Sequence, residues 1–377
     1  MINELDWRKT LKEDLKKTAE SDLPWDEFRN KTILVTGASG LIGSNLVKTL
    51  IYCTNKHQLN MKVIATGRSM SKLEKIFSSW SGSKTLKLVA YDVTEGPEEL
   101  NRNVPEEVDY VIHGASITNS ALMISKPVET IQTSVFGTSN LLEFCRIKRV
   151  KRAVYISSME MYGDTSVFEE NGEGVREDKI GLLDPLAIRS DYPESKRLCE
   201  NMCIAYNSEY SVPISIVRLA QSFGPGILEE ENRVFAQLAR CVLENRDFVM
   251  HTTGQSEGNY CYLQDAVKGI LMILSTGKSG EAYNVVNEEC HMTIAEMAEM
   301  VCNNVAQKTI HVVYDLSRSN QYGYAKPVKL KLSADKIREL GWKPAVGLEE
   351  AYRRLILDMK ETAEMNEIMK TIGKMKP

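Results

Sequence analysis

The chain has 377 residues, enough for two or three domains or for one large α/β unit with an elaborated end. A hydrophobic share of 43% and a charged share of 26% are ordinary for a soluble globular protein with a sizeable core. The net charge of -4 gives no basic field for nucleic acid or an anionic membrane, and no apolar run approaches the ~20 residues a bilayer requires.

Residues 1–30 read as an N-terminal extension of one or two amphipathic helices, with Leu5, Leu11 and Leu15 interleaved with Lys and Glu and Pro24 as a breaker. Met1 to Lys17 carries both charge signs and lacks the apolar centre of a signal peptide. From Lys31 the pattern changes. Short apolar runs end in turn or polar residues: Thr32–Thr36, Lys62–Thr66, Leu86–Tyr91, Tyr110–His113, Ala153–Ile156 and Ile214–Arg218. Helical stretches lie between them, near Leu41–Tyr52 and Lys72–Phe77 among others. This alternation predicts a Rossmann-type α/β fold, a doubly wound parallel sheet binding its ligands beyond the carboxyl ends of the strands. The expected division is 31–223 for that domain and 224–377 for a smaller C-terminal α/β substrate lobe, some of whose elements return to the first domain.

The eight cysteines are scattered without a C-x-x-C, and the five histidines form no ligand pair, so no metal site is expected. Cys199 and Cys203, one helical turn apart, read as packing residues. Without an export signal, reduced thiols in a cytoplasmic protein are the simplest reading.

Gly37-Ala38-Ser39-Gly40-Leu41-Ile42-Gly43 follows the first strand and opens the first helix of the series. Gly37 permits a tight turn, Gly40 lets backbone approach phosphates, and Gly43 lets helix pack on strand. The helix terminus adds free amides and positive dipole. That is the requirement of a dinucleotide pyrophosphate. The second strand ends in Thr66-Gly67-Arg68-Ser69, without the acid that holds the ribose of NAD; Arg68 could pair with a 2′-phosphate, so NADP is favoured over NAD. Asp92, followed by Val93, is placed at the end of the third strand to accept from the adenine amino group.

In Tyr192-Pro193-Glu194-Ser195-Lys196 the phenol and the ammonium share a helix face, and a nearby cation favours phenolate, making Tyr192 a usable acid/base. Ser157-Ser158 ends a strand upstream, where a hydroxyl can hold a carbinol or carbonyl oxygen. The combination resembles the extended short-chain dehydrogenase/reductases, in particular their nucleotide-sugar epimerase/dehydratase branch. The resemblance runs from about Lys31 to Arg353. It includes Thr36–Gly43, the cofactor loop His113-Gly114-Ala115-Ser116, Gly137–Leu142, Ser158-Met159-Glu160-Met161-Tyr162-Gly163, Tyr192 with Lys196, Arg218, Phe223–Gly226 and Leu340–Pro344.

Counting back four residues from Tyr162, as the family motif does, places the catalytic hydroxyl on Ser158. The resemblance implies that Tyr192 takes a proton from a sugar hydroxyl, usually at C4, as hydride passes to the nicotinamide. A transient 4-keto sugar forms, and the hydride is later returned. Lys196 would also bond the nicotinamide ribose. Glu160 stands where dehydratases and UDP-glucuronate decarboxylases tend to carry a glutamate, suited to taking a proton from C5 or steering water. Met159 stands where dTDP-glucose 4,6-dehydratases use an aspartic acid, which disfavours that group. The run Arg189–Arg197 and Glu231-Asn232-Arg233-Val234 look most like the decarboxylases. Two departures cut the other way. Gly258 replaces an arginine that grips the nucleotide or helps the carboxylate, leaving Arg233 beside Asn232 for the phosphate contact, and Gln221 replaces an asparagine of the sugar pocket.

Decarboxylation, epimerisation and dehydration thus stay open, beside two rivals: an NADPH-dependent carbonyl reductase, to which Arg68 and Gly258 lend weight, and a non-catalytic dinucleotide sensor, which would have no need of Ser158, Tyr192 and Lys196. The family commonly dimerises through a four-helix bundle, here the helices near 127–148 and 192–208, which implies a homodimer.

Overall fold

A computed structural model describes residues 8–166, 168, 174–317 and 329–374. The N-terminal extension begins with α1 (Lys9–Ala19), in which Leu11, Leu15 and Ala19 recur every four residues and bury one shared face. Leu5 lies outside the described residues. A 3-10 turn, Trp25–Phe28, ends the extension with Trp25 stacked on His57 at 5.5 Å between ring centroids.

Strands and helices then alternate: β1 (Thr32–Thr36), α2 (Leu41–Lys56), β2 (Lys62–Gly67), α3 (Met70–Ile76), β3 (Leu86–Ala90), α4 (Pro97–Asn103), β4 (Tyr110–His113), α5 (Ser120–Ser125), α6 (Pro127–Lys148), β5 (Arg152–Ser158), α7 (Asp191–Tyr210) and β6 (Ile214–Leu219). The second half contains β7 (Gln221–Phe223), α8 (Val234–Glu244), β8 (Phe248–Met250), β9 (Glu257–Tyr262), α9 (Leu263–Thr276), β10 (Ala282–Val285), β11 (Asn287–Thr293), α10 (Ile294–Met300), β12 (Val312–Tyr314), α11 (Asp335–Arg338) and α12 (Leu348–Lys374).

Seven strands form one parallel sheet in the order β10-β6-β5-β4-β1-β2-β3. Its strands are nearly continuous runs of Val, Ile and Leu because helices cover both faces. Side chains of α1, α2 and α9 fill one side and those of α4, α6 and α7 the other. The order reverses at β1, where Thr36 stands in register with Thr66 on one side and His113 on the other. A parallel sheet opens its ligand crevice at such a switch point.

The strand β10 returns from the second half to extend the main sheet. The remaining elements pack around Phe223, Phe235 and Tyr352, with Phe223 stacked on Phe235 at 4.8 Å, and carry two small sheets, β11-β9-β7 and β12-β8. All eight cysteines are free and buried, Cys199 and Cys203 beneath α7. No helix among the described residues is long and apolar enough to cross a membrane.

Helix α1 is tied to both halves by buried polar groups. Gln264 Nε2 donates to Thr18 Oγ1 at 2.7 Å and to Thr49 Oγ1 at 3.1 Å, while Asp14 accepts from Tyr262 and, at 2.7 Å, from Arg354 Nη2. Burial outweighs both partners and pushes the Asp14 carboxyl up from 3.8 to about 6. Within that window the folded chain holds a proton that the unfolded chain has released, so this group's contribution to stability should fall by about 3 kcal/mol as pH rises through it. Asp14→Asn cannot titrate, and thermal unfolding at about pH 4 and pH 7 checks the point. A gap between variant and parent that stays constant with pH would count against it.

Candidate active site

The chain turns at Gly37 with φ at +70°, a left-handed conformation that favours glycine. A side chain there would also meet the backbone of Gly114 and Ala115 at 2.8 Å, so the loops after β1 and β4 touch through this residue. Gly43 is just as confined, since a Cβ would lie 2.3 Å from the Gly37 carbonyl oxygen. Its close neighbour is thus the loop itself rather than the strand. No side chain caps the start of α2, whose first-turn amides and positive dipole end border a cleft of ≈ 970 Å³. This cradle fits a dinucleotide pyrophosphate.

Buried His113 braces the two loops, a role the sequence reading missed. Its Nδ1 lies 2.7 Å from Thr36 Oγ1, which accepts from the Ala115 amide at 3.3 Å, and its Nε2 lies 3.3 Å from Thr138 Oγ1. Burial pushes the imidazole down to about 3, so it is neutral at physiological pH.

The cleft gathers most of the expected cofactor residues: Gly37, Ser39 to Gly43, Arg68, Val93, and Gly114 to Ser116. Asp92 is the exception. Its neighbours Tyr91 and Val93 line the cleft, and its own Oδ1 accepts from the amide and hydroxyl of Thr94 at 3.0 and 2.8 Å. Arg68 pairs with Glu129 of α6 at 3.6 Å. Lys72, in the first turn of α3, joins Arg68 at this edge, and the sequence reading did not single it out.

Ser158, at the end of β5, and Tyr192 and Lys196, in the first turns of α7, line the same cleft. Ser157 also borders the cleft, but its hydroxyl donates to buried Glu200 at 2.5 Å, so Ser158 is the better placed hydroxyl for a ligand. Lys196 Nζ donates to the Ile156 carbonyl at 2.8 Å and lies 5.5 Å from the centre of the Tyr192 ring. The expected fall of the Tyr192 phenol towards neutrality is not found. Burial pushes it well above its ordinary value and Glu160 adds to this, outweighing the pull of the Ser158 hydrogen bond and of Arg189 and Arg233. Burial also pushes Lys196 down, to about 8. Glu160 lines the cleft with its carboxylate bonded to Arg189 at 2.9 Å. The Arg189 guanidinium in turn lies 6.0 Å from the Tyr192 ring centre.

On the far wall Gln221, Asn232 and Arg233 line the cleft. Arg233 is held by two parallel bonds to Glu231, at 2.9 and 2.6 Å. Gly258 is buried in β9, where a side chain would begin 3.6 Å from the terminal methyl of Met159. Among the described residues no three His, Cys, Asp or Glu side chains gather as a metal site would need.

Residues 33–286 match the model of the NAD dependent epimerase/dehydratase family. The chain is 29% identical over 334 residues to UDP-glucuronic acid decarboxylase 1 of Danio rerio, covering 88% of this chain and 73% of the relative. It is 26% identical over 342 residues to a dTDP-D-glucose 4,6-dehydratase of Bos taurus, covering 90% and 91%. The fold is that of the UDP-glucuronic acid 4-epimerase of Bacillus cereus solved with UDP-glucuronic acid and NAD, with a TM-score of 0.72, 22% identity, and 88% and 99% of the two chains covered.

Proposed function

The chain belongs to the NAD dependent epimerase/dehydratase family, and from that premise we propose that it modifies a nucleotide-linked sugar through a transient 4-keto intermediate, with Tyr192 as acid/base. The observation that carries the reading is one cleft with the glycine cradle at one end and Ser158, Tyr192 and Lys196 on its wall. A nicotinamide dinucleotide on that cradle supplies a hydride acceptor that can return what it takes, and in its oxidised form a positive charge that favours the Tyr192 phenolate. Ser158 holds the sugar oxygen against the phenol, and Tyr192 exchanges the proton. Lys196, fixed by the Ile156 carbonyl, holds positive charge beside the phenol ring. Glu160, steadied by Arg189, is the group placed to take a proton from a carbon made acidic by the neighbouring ketone.

Purified protein incubated with UDP-, GDP-, CDP- and dTDP-sugars tests this, with products read by mass. Loss of carbon dioxide, loss of water, or an isomer of unchanged mass identifies decarboxylation, dehydration or epimerisation. Consumption of NADPH by a simple aldehyde or ketone, with no sugar nucleotide bound or converted, would overturn the reading.

For the cofactor we take NAD. The NADP preference read from Gly67-Arg68 has no counterpart in the family description or in the Bacillus cereus structure. Arg68 is also already paired with Glu129, at 3.6 Å. Titration should show NAD binding about tenfold tighter than NADP, with Arg68→Ala changing the NAD affinity less than about threefold. Tighter binding of NADP to the parent would restore the first preference.

We also assign a cytoplasmic homodimer built on α6 and α7. These helices pack together and leave Val128, Ile131, Leu198 and Ile204 exposed, with a second cavity of ≈ 480 Å³ between them and the loop Pro185–Ile188. Light scattering on Leu198→Glu should then show a monomer where the parent shows a dimer.

A further inference from the structure

Much of the far wall of the cleft is loop. Between β7 and α8 the chain presents Leu228, Glu231, Asn232 and Arg233 to the cleft. A loop holds side chains accurately only where its own backbone groups are bonded. At its start the Pro225 carbonyl accepts from Asn45 Nδ2 of α2 at 3.4 Å, and the Gly226 amide donates to Asp358 of α12 at 2.7 Å. At its end the work falls to α8. Arg240, which does not itself line the cleft, donates through Nη2 to the carbonyls of Glu229, at 2.9 Å, and of Glu231. Gln237, one turn earlier, donates to the Asn232 carbonyl at 2.7 Å.

The turn so fixed aims a cation. The Glu231 amide closes on the Leu228 carbonyl at 3.1 Å, and the Glu231 carboxylate accepts from the Arg233 amide at 3.1 Å as well as from its guanidinium. Arg233 is thereby held at backbone and side chain at once. The two guanidinium bonds use Nε and Nη2, so they fix the plane of the fork and the direction in which Nη1 points. From this place Arg233 also pulls on the Tyr192 phenol, favouring its ionised form. A guanidinium fork grips a phosphate through directed bonds, and a shift of about 1 Å in its anchor forfeits much of that grip.

We propose that Arg240 is a positioning residue for substrate binding, which acts through Glu231 to aim Arg233 at the diphosphate of the sugar nucleotide. The inference rests on the nucleotide-sugar reading above, with Arg233 as the phosphate contact. Without Arg240 the Glu229 and Glu231 carbonyls turn to water, and the Glu231 carboxylate no longer has a fixed backbone behind it. The lost affinity comes from a misdirected Arg233 and not from the missing charge of Arg240 itself.

The test is a double-variant cycle on the full-length protein saturated with NAD. Binding of UDP, dTDP, GDP and CDP is read by calorimetry for the parent, Arg240→Met, Arg233→Met and the double variant. Arg240→Met should weaken the nucleoside diphosphate that the parent prefers by about tenfold, with NAD affinity within about threefold of the parent. In the Arg233→Met background the same change should cost no more than about twofold, because the side chain it aims is already gone. A full further loss in the double variant would mean that Arg240 acts by its own charge, and overturns the inference. So does an Arg240→Met variant that binds as the parent does, which leaves the nucleotide-sugar reading intact. A matched loss of NAD binding would make Arg240 a residue of the fold as a whole and overturn the inference as well. If the parent binds none of the four nucleoside diphosphates, the nucleotide-sugar reading itself has failed and the inference falls with it.

Discussion

Tyr192→Phe should lower turnover of the sugar nucleotide by roughly 10²–10⁴-fold while leaving NAD affinity within about threefold of the parent. The substitution removes one oxygen from a side chain that is 6% exposed, so packing is preserved and only the proton-handling atom is lost. The phenol is flanked by both Ser158 and the buried Lys196 ammonium, and water has little access to replace it. Steady-state rates by product mass and dinucleotide titration by fluorescence give the two readouts. Full activity in the variant would remove Tyr192 from the mechanism. A matched loss of activity and of NAD binding would recast it as a residue that shapes the cradle.

Much of this was legible in the sequence because the governing terms are local. A β-branched run followed by glycines and then a helix reports the first βα turn, and i, i+4 spacing places Tyr192 and Lys196 on one face. The strand β10 was not legible, since Ala282-Tyr283-Asn284-Val285 is short and lies deep in a stretch that reads as the second lobe. Its place beside β6 is set by tertiary pairing alone. The electrostatics of the site were lost for the same reason. Arg189 meets Glu160 across 29 residues and Arg68 meets Glu129 across the sheet edge, so no spacing rule could show that these cations are engaged. Nor does a helix face reveal how deeply a phenol is buried, and burial decides the direction in which Tyr192 shifts. Asp92 was placed correctly at a strand end, yet Thr94, two residues on, competes for its carboxylate.

Arg218→Met should destabilise the fold by about 3–5 kcal/mol, the largest effect expected away from the cleft. Arg218 and Glu200 are each 8% exposed at the side chain and lie on neighbouring elements, β6 and α7. The guanidinium bonds the carboxylate through Nη2 at 2.8 Å and Nε at 3.1 Å, and spends Nη1 on the Tyr162 hydroxyl at 2.9 Å and the Glu177 carbonyl at 2.8 Å. Tyr162 donates onward to Asn284 of β10 at 2.7 Å. The cluster therefore fastens the returning strand to the loop after β5 and, through Ser157, steadies the residue next to Ser158. Methionine fills similar volume but leaves Glu200 buried beside the Ser157 hydroxyl without the guanidinium that balances its charge, and an uncompensated buried carboxylate is the costly outcome. Removing both charges, as Glu200→Leu with Arg218→Met, should recover most of the loss, because paired burial gains little over apolar packing. Unfolding midpoints for the parent, the single and the double variant measure the two steps. A single variant that loses less than about 1 kcal/mol, or a double variant worse than the single, would mean that Glu200 finds another partner and that the network is not what holds β10 in place.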